Sequence, residues 1–475
     1  ELVNEGTIRA DSSGRFLQLG DGVRLTTLTN AGTIEAANGG RLYTRTGNLL
    51  NLVGGRMSAL SGTLDIAGPS FTNEGELAVT GGTAIVAPST WVSPGVITIS
   101  AGGLTLGGSY SLADFATLNH TGGTVTIAGT LDNTGRTLAL QATPGSWMLN
   151  GGSITGGTLN LGEALVVSNN TNNRLIGVTV NGDLDLNSNY AAHLRVKDLV
   201  LNGVASLWRD ASLAFEGTQR LEGNATVEFV SDGADAVLEM QAAGVLTLGA
   251  NVLVHGGYGM IGGSRRFGEA MELVNEGTIR ADSSGRFLQL GDGVRLTTLT
   301  NAGTIEAANG GRLEVRAENI SNQAGAEITT AGGNLVAGGT SFTNSGSIEA
   351  ADGTITISNT TFNSAATIRV AAGARIQLSG MVTMLPASIL EVVFGGVLAS
   401  EIGQFSSTGS LALDGMVRVS LSSGFVPSLG DEFAFLSYNA RSGQFIGVDE
   451  ADGTPGVGYD LTYGPIDATL RAVLG

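Results

Sequence analysis

Asp183 and Asp185, with Leu184 and Leu186 interleaved, are the carboxylate pair best placed for general acid–base work on a polysaccharide, with Arg195 and Lys197 downstream as basic partners. The same spacing is what any outward strand face shows when its leucines point inward, and the sequence favours that plainer reading. His120, His193 and His255 are scattered without close pairing, which argues against zinc, and the absence of Cys removes thiolate ligands, disulfides and cysteine nucleophiles. Asp449, Glu450 and Asp452 form a small acidic loop ahead of Gly453, but they lack the spacing of a calcium hand, and no calcium-type glycine-rich nonapeptide occurs. The glycines from Gly257 to Gly262 look like a phosphate cradle, yet no helix follows to supply an N-terminal dipole, so they read as turn glycines. Trp91, Trp147 and Trp208 are isolated and read as buried or corner-capping rings before a sugar-stacking platform. The sequons at Asn119 and Asn224 are explained by the abundance of Asn and Thr. No catalytic, cofactor-binding or metal-ligating residue is expected.

Composition narrows the class further. Of 475 residues, 74 are Gly and 8 are Pro, so Gly stands at roughly twice its usual share. Charged residues make up 14% and hydrophobic ones 42%, enough apolar surface to fold. The 24 basic against 42 acidic residues give a formal charge of −18, with Lys197 the sole lysine, a poor electrostatic match for nucleic acid or anionic lipid. No apolar run reaches the ~18–20 residues a membrane helix needs. With neither an initiator Met nor a signal peptide, the chain is expected to be a mature form or a piece of something longer.

Self-similarity is the dominant signal. Residues 1–42 recur letter for letter at 272–313. Inside this long repeat lies a degenerate short one, Asn-x-Gly-x-Ile/Leu. It is carried by Asn4, Gly6 and Ile8; Asn30, Gly32 and Ile34; Asn73, Gly75 and Leu77; Asn275, Gly277 and Ile279; Asn301, Gly303 and Ile305; and Asn344, Gly346 and Ile348. Looser copies are read at Asn322 and Asn363, and successive starts from 275 to 363 lie 19 to 26 residues apart. A unit of that size cannot bury its own core and must stack on its neighbours.

Helical periodicity is nearly absent, whereas short alternating runs such as Thr124–Ala128 and Thr354–Ser358 end at Gly or Asn. These features predict an all-β fold: a single-stranded parallel β-helix, or β-solenoid, of about 20–26-residue coils over residues 1–385. About 17 coils at the strand spacing would make a body on the order of 80 Å long. The Ile8-type residues should form an interior aliphatic column and the Asn4-type residues a hydrogen-bonded polar ladder at a corner. From Pro386 the repeat stops and aromatics gather around Phe433–Tyr438, which predicts a β-rich capping module over 386–475.

Gly257-Tyr-Gly-Met-Ile-Gly262 followed by Glu272-Leu-Val-Asn-Glu-Gly-Thr-Ile-Arg-Ala281 resembles a pattern of large bacterial β-helical surface exoproteins. The run from Gly430 to Phe445 resembles the closing module of such proteins and of autotransporter passengers. The resemblance implies a secreted, cell-surface, adhesin-like stalk or fibre subunit that is not an enzyme; a carbohydrate-active β-helix enzyme is the alternative. Implied partners are a surface glycan or protein receptor, or another copy of the chain joined head to tail through solenoid ends.

Overall fold

The computed structural model describes residues 1–111, 115–140, 146–233, 235–422, 424–451 and 456–475. Among the described residues it holds 54 β-strands and one three-residue 3₁₀ turn, Ala399–Glu401. Stacked parallel strands form a β-solenoid of about 17 turns, the class expected from the sequence. No helix among the described residues is long and apolar enough to cross a membrane.

The chain divides into two compact units, Glu1–Ala214 and Phe215–Gly475. In the first, Leu28, Leu49, Phe71, Trp91, Tyr110, Leu131, Ile154, Leu175 and Val196 succeed one another in strict parallel register. All are buried. Alternation puts these side chains inside while their neighbours, such as Thr27 and Thr29, face out. The expected Ile8 column exists and runs through Ile34, Met57, Leu77 and Ile97. In the second unit the same column is Val254, Ile279, Ile305, Ile328, Ile348, Ile368, Leu390 and Val417. Each fully buried aliphatic side chain contributes roughly 1.5–3 kcal/mol over an exposed one.

The duplicated 42 residues fold alike in both places: Thr7–Ala10 and Thr278–Ala281 are the same strand, as are Phe16–Leu19 and Phe287–Leu290. Ile279 is fully buried because Val254 lies in register beside it. Parallel stacking passes residue 386 without a break, since Ile389–Phe394 pairs with Thr367–Val370 before it and Met416–Leu421 after it. Antiparallel strand pairing enters where Asp467–Leu474 joins Glu432–Gly443 and Val457–Tyr463, and isolated antiparallel bridges link Ala308 to Gly332 and Phe394 to Ile402. There Phe394 stacks face to face on Phe433, ring centroids 4.1 Å apart.

Candidate functional site

The motif asparagines meet in a continuous buried chain. Asn4, Asn30, Asn51 and Asn73 occupy one column. Each side-chain Nδ2 donates to the next Oδ1, at 2.7, 2.7 and 2.6 Å, and Asn73 ends the run by donating to Ser93 Oγ at 2.9 Å. In the second unit Asn275, Asn301, Asn322 and Asn344 do the same at 2.9, 2.9 and 2.8 Å, ending on Ser364 Oγ at 3.1 Å. An amide nitrogen carries two hydrogens, and the second goes to the carbonyl that opens a strand of the following coil: Asn4 to Thr33 O at 3.1 Å, Asn301 to Glu327 O at 3.0 Å. The column therefore ties each coil to the next both through its own amides and through the main chain where the following strand begins.

The motif glycine has a separate cause. A Cβ on Gly32 would lie 2.1 Å from Gly6 O, and one on Gly303 2.2 Å from Gly277 O, so turn main chains stack closer than any side chain permits. Gly75 and Gly346 stand in the same tight stack. Ile8, Ile34, Leu77, Ile279, Ile305 and Ile348 face the interior beside them.

Sequence reading missed several members. Asn51 is hidden because Val53 and Gly54 are inserted before Gly55, which fills the glycine position, and Met57 takes the isoleucine place. Ser93 and Ser364 are hydroxyl terminators that no Asn pattern can find. The looser copy read at Asn363 is corrected: Asn344 lies in register with Ser364, while Asn363 pairs with Thr343 on the outward row. The adjacent Thr-Phe-Asn-Ser run slips the motif by one residue, and in a strand that moves a side chain to the opposite face.

A second column, on the outside of the wall, is ionic. Glu228, His255, Arg280, Glu306, Thr329, Glu349, Arg369, Glu391, Arg418 and Asp449 follow in register, one per coil. Arg280 reaches Glu306 at 2.6 Å, Arg369 bridges Glu349 and Glu391, and Arg418 reaches Asp449 at 2.8 Å. Nearby, Arg220 bonds Glu276 at 2.6 Å and holds its carboxyl below the usual carboxylate range. A buried carboxylate, Glu239, accepts main-chain N–H groups from Arg265, Arg266 and Phe267 at 2.8, 3.0 and 3.1 Å and so ties down the loop before Met271.

The other candidates are placed as follows. Asp185 accepts from the main-chain N–H groups of Asn187 and Ser188 at 2.7 and 2.8 Å, and Asp183 from Val204 N at 2.8 Å. Asp183 precedes the strand Leu184–Leu186 that holds Asp185; this strand pairs with Leu165–Val167 and Val200–Leu207, whereas Arg195 and Lys197 belong to a different sheet, beside Arg174 and Ile176. The structure does not bring the two pairs together. His120 packs edge-on to Trp147 with centroids 5.6 Å apart, His193 is fully buried, and His255 Nδ1 lies 3.2 Å from Asp282. Among the described residues no three His, Asp or Glu side chains are grouped to hold a metal ion. Asp449 is engaged by Arg418, while Asp452 and Gly453 lie outside the described residues.

Around the glycine run, Gly259 abuts Phe229, whose ring a Cβ would meet at 2.2 Å; a packing contact explains this residue. Trp91 is a core-column residue that donates to Gly107 O at 2.9 Å, and Trp147 is buried too. Trp208 is partly exposed, with the Arg209 guanidinium 4.9 Å from its centroid. Burial pushes the Tyr459 hydroxyl up to about 12, helped by Glu450 and Asp431. No protein-family model matches the chain, and no curated protein matches it either.

Proposed function

We propose that this chain is a stiff structural element displayed outside the cell, an adhesive stalk in which the solenoid itself is the working part. One observation carries the reading: both sides of the coil wall serve to hold coil to coil. Inside, the asparagine column crosses every coil from Asn275 to Ser364. Outside, Glu306, Glu349, Glu391 and Asp449 are each bonded to an arginine of the neighbouring coil. Carboxylates so engaged are poor general acids or bases, because their protonation breaks an ion pair. The extracellular setting rests on the resemblance of the Gly257–Ala281 and Gly430–Phe445 segments to surface exoproteins.

Stretching single molecules from their two ends tests the mechanical part. The expected trace resists extension and then releases length in steps of one or a few coils, as nearest-neighbour stacking dictates. Smooth extension at low force would overturn it. A polysaccharide depolymerisation screen tests the rest: release of new reducing or unsaturated ends would make the protein an enzyme.

A further inference from the structure

We infer that the first unit carries a carbohydrate-binding site at a corner of the coil wall, centred on Tyr190 and Trp208. Three successive corner loops, at 168–173, 187–191 and 208–211, are stacked there: Asn189 Nδ2 donates to Val167 O at 3.0 Å, and Ala191 N donates to Arg209 O at 3.2 Å. The Tyr190 ring is 60% exposed, yet its hydroxyl is fixed by donating to Asp210 Oδ2 at 2.6 Å. The tether fixes the orientation of an exposed aromatic side chain whose ring can stack on an apolar surface.

The backbone supports the same conclusion. Ala191 has φ +54° and Asp210 φ +57°. Corners in the duplicated segments fill such left-handed positions with Gly14, Asn38, Gly285 and Asn309, residues that adopt them easily. Alanine does not, and strain of this kind concentrates where a side chain must be presented. Here the residue next to the strained Ala191 is Tyr190. Trp208, alone of the three tryptophans, is partly exposed, and Arg209 braces one face of its ring.

The loops are also held from within. Asn173 Nδ2 donates to Ser168 O and His193 O at 2.9 and 3.0 Å, and Asp185 caps the turn at Asn187 and Ser188. This leaves Asn172 and Asn187 exposed on a fixed backbone. Aromatic side chains carried on the same stacked corner loops as exposed amides suit a sugar: the apolar C–H face of a pyranose stacks on a ring, and its hydroxyls exchange water for amide groups. The coil rise of about 4.8 Å is comparable to the length of one sugar in an extended chain, so a glycan lying along the wall meets one corner per residue.

The inference deepens the adhesive reading and rests on it for the partner's role. The test uses the full chain on an array of neutral and uronic-acid oligosaccharides, followed by titration of the strongest hit while tryptophan fluorescence is recorded. Wild type should bind and change its emission, and Trp208→Phe should abolish that change because Trp91 and Trp147 are buried. Tyr190→Ala should weaken binding at least tenfold, and Tyr190→Phe, which keeps the ring but loses the tether, only severalfold. Circular dichroism and thermal melting should be unchanged, as neither ring is in the core. Failure of wild type to bind any saccharide, wild-type affinity in Tyr190→Ala, or a full emission change on binding in Trp208→Phe would overturn the inference. A chain that resists stretching but binds no sugar sinks this site alone; one that binds sugar but extends at low force sinks the mechanical reading alone.

Discussion

Replacing Asn301 tests the inner column where it is most fully connected. Its Nδ2 donates to Asn322 Oδ1 at 2.9 Å, Glu327 O at 3.0 Å and Gly303 O at 3.2 Å, and its Oδ1 accepts from Asn275 Nδ2 at 2.9 Å. Asn301→Leu fills the space but strips Asn322 Oδ1 and Glu327 O of this donor in a buried setting. At ~1–3 kcal/mol for each orphaned buried group, the local cost is about 3–5 kcal/mol. The chain itself shows the milder, one-sided case: Leu248 lies in register with Asn275, whose Oδ1 is left without a partner. Asn301→Asp should cost more at neutral pH, because its carboxylate faces those same oxygens. Its folded pKa is raised above the unfolded value, so the loss grows as pH rises through the folded pKa and is smallest below about 3.9.

Hydrogen exchange is the suitable assay, since stacked repeats open locally. A loss of about 3 kcal/mol speeds exchange roughly a hundredfold in Thr304–Ala308 and Glu327–Ala331. Asn363→Ala, one residue off the column on the outward row, should change little, within about 0.5 kcal/mol. Exchange in Asn301→Leu within threefold of wild type, or Asn363→Ala matching it, would refute the column as a source of stability.

Gly303→Ala should be severely destabilising, because its Cβ would sit 2.2 Å from Gly277 O, while Gly103→Ala, with nothing within 4 Å, should melt like wild type. Arg369→Gln removes the bridge between Glu349 and Glu391 and should lower stability by about 1–2 kcal/mol at low salt, with the difference shrinking in high salt as screening sets in. Glu276 has a depressed folded pKa through its bond from Arg220, so its contribution is present above the unfolded pKa of about 4.3 and is lost as pH falls through the folded value. Glu276→Gln should therefore melt slightly lower than wild type at pH 7, and the gap should close on acidification; a gap constant with pH would remove this ion pair from the account.

The coil and its interior were legible because Asn-x-Gly-x-Ile joins three stacking requirements in five residues: an amide relay, a turn with no room for Cβ and an inward aliphatic. What stayed hidden depends on register. Coil lengths differ, so Arg369 meets Glu349 and Glu391 across separations of 20 and 22 residues, and no fixed period aligns the ionic column. The two-residue insertion after Leu52 masked Asn51, and the motif at Asn363 was read one residue out of step. Of Asp183 and Asp185 only Asp185 lies in the strand, Asp183 standing just before it, and only the pairing of Arg195 with Arg174 shows that the cations lie on another sheet. Glu239 offered no local signal, since its partners are 26 to 28 residues away in a loop.

In-register stacking is most directly tested by paired cysteines in this cysteine-free chain. Ser321 and Thr343 face out directly opposite each other on adjacent coils, whereas Thr383 lies two coils beyond Thr343. Mild oxidation should close an intramolecular disulfide in Ser321→Cys/Thr343→Cys, whose Cα separation falls within disulfide reach, and leave Ser321→Cys/Thr383→Cys open. Closure of the distant pair in preference to the near one would contradict the stacked coil.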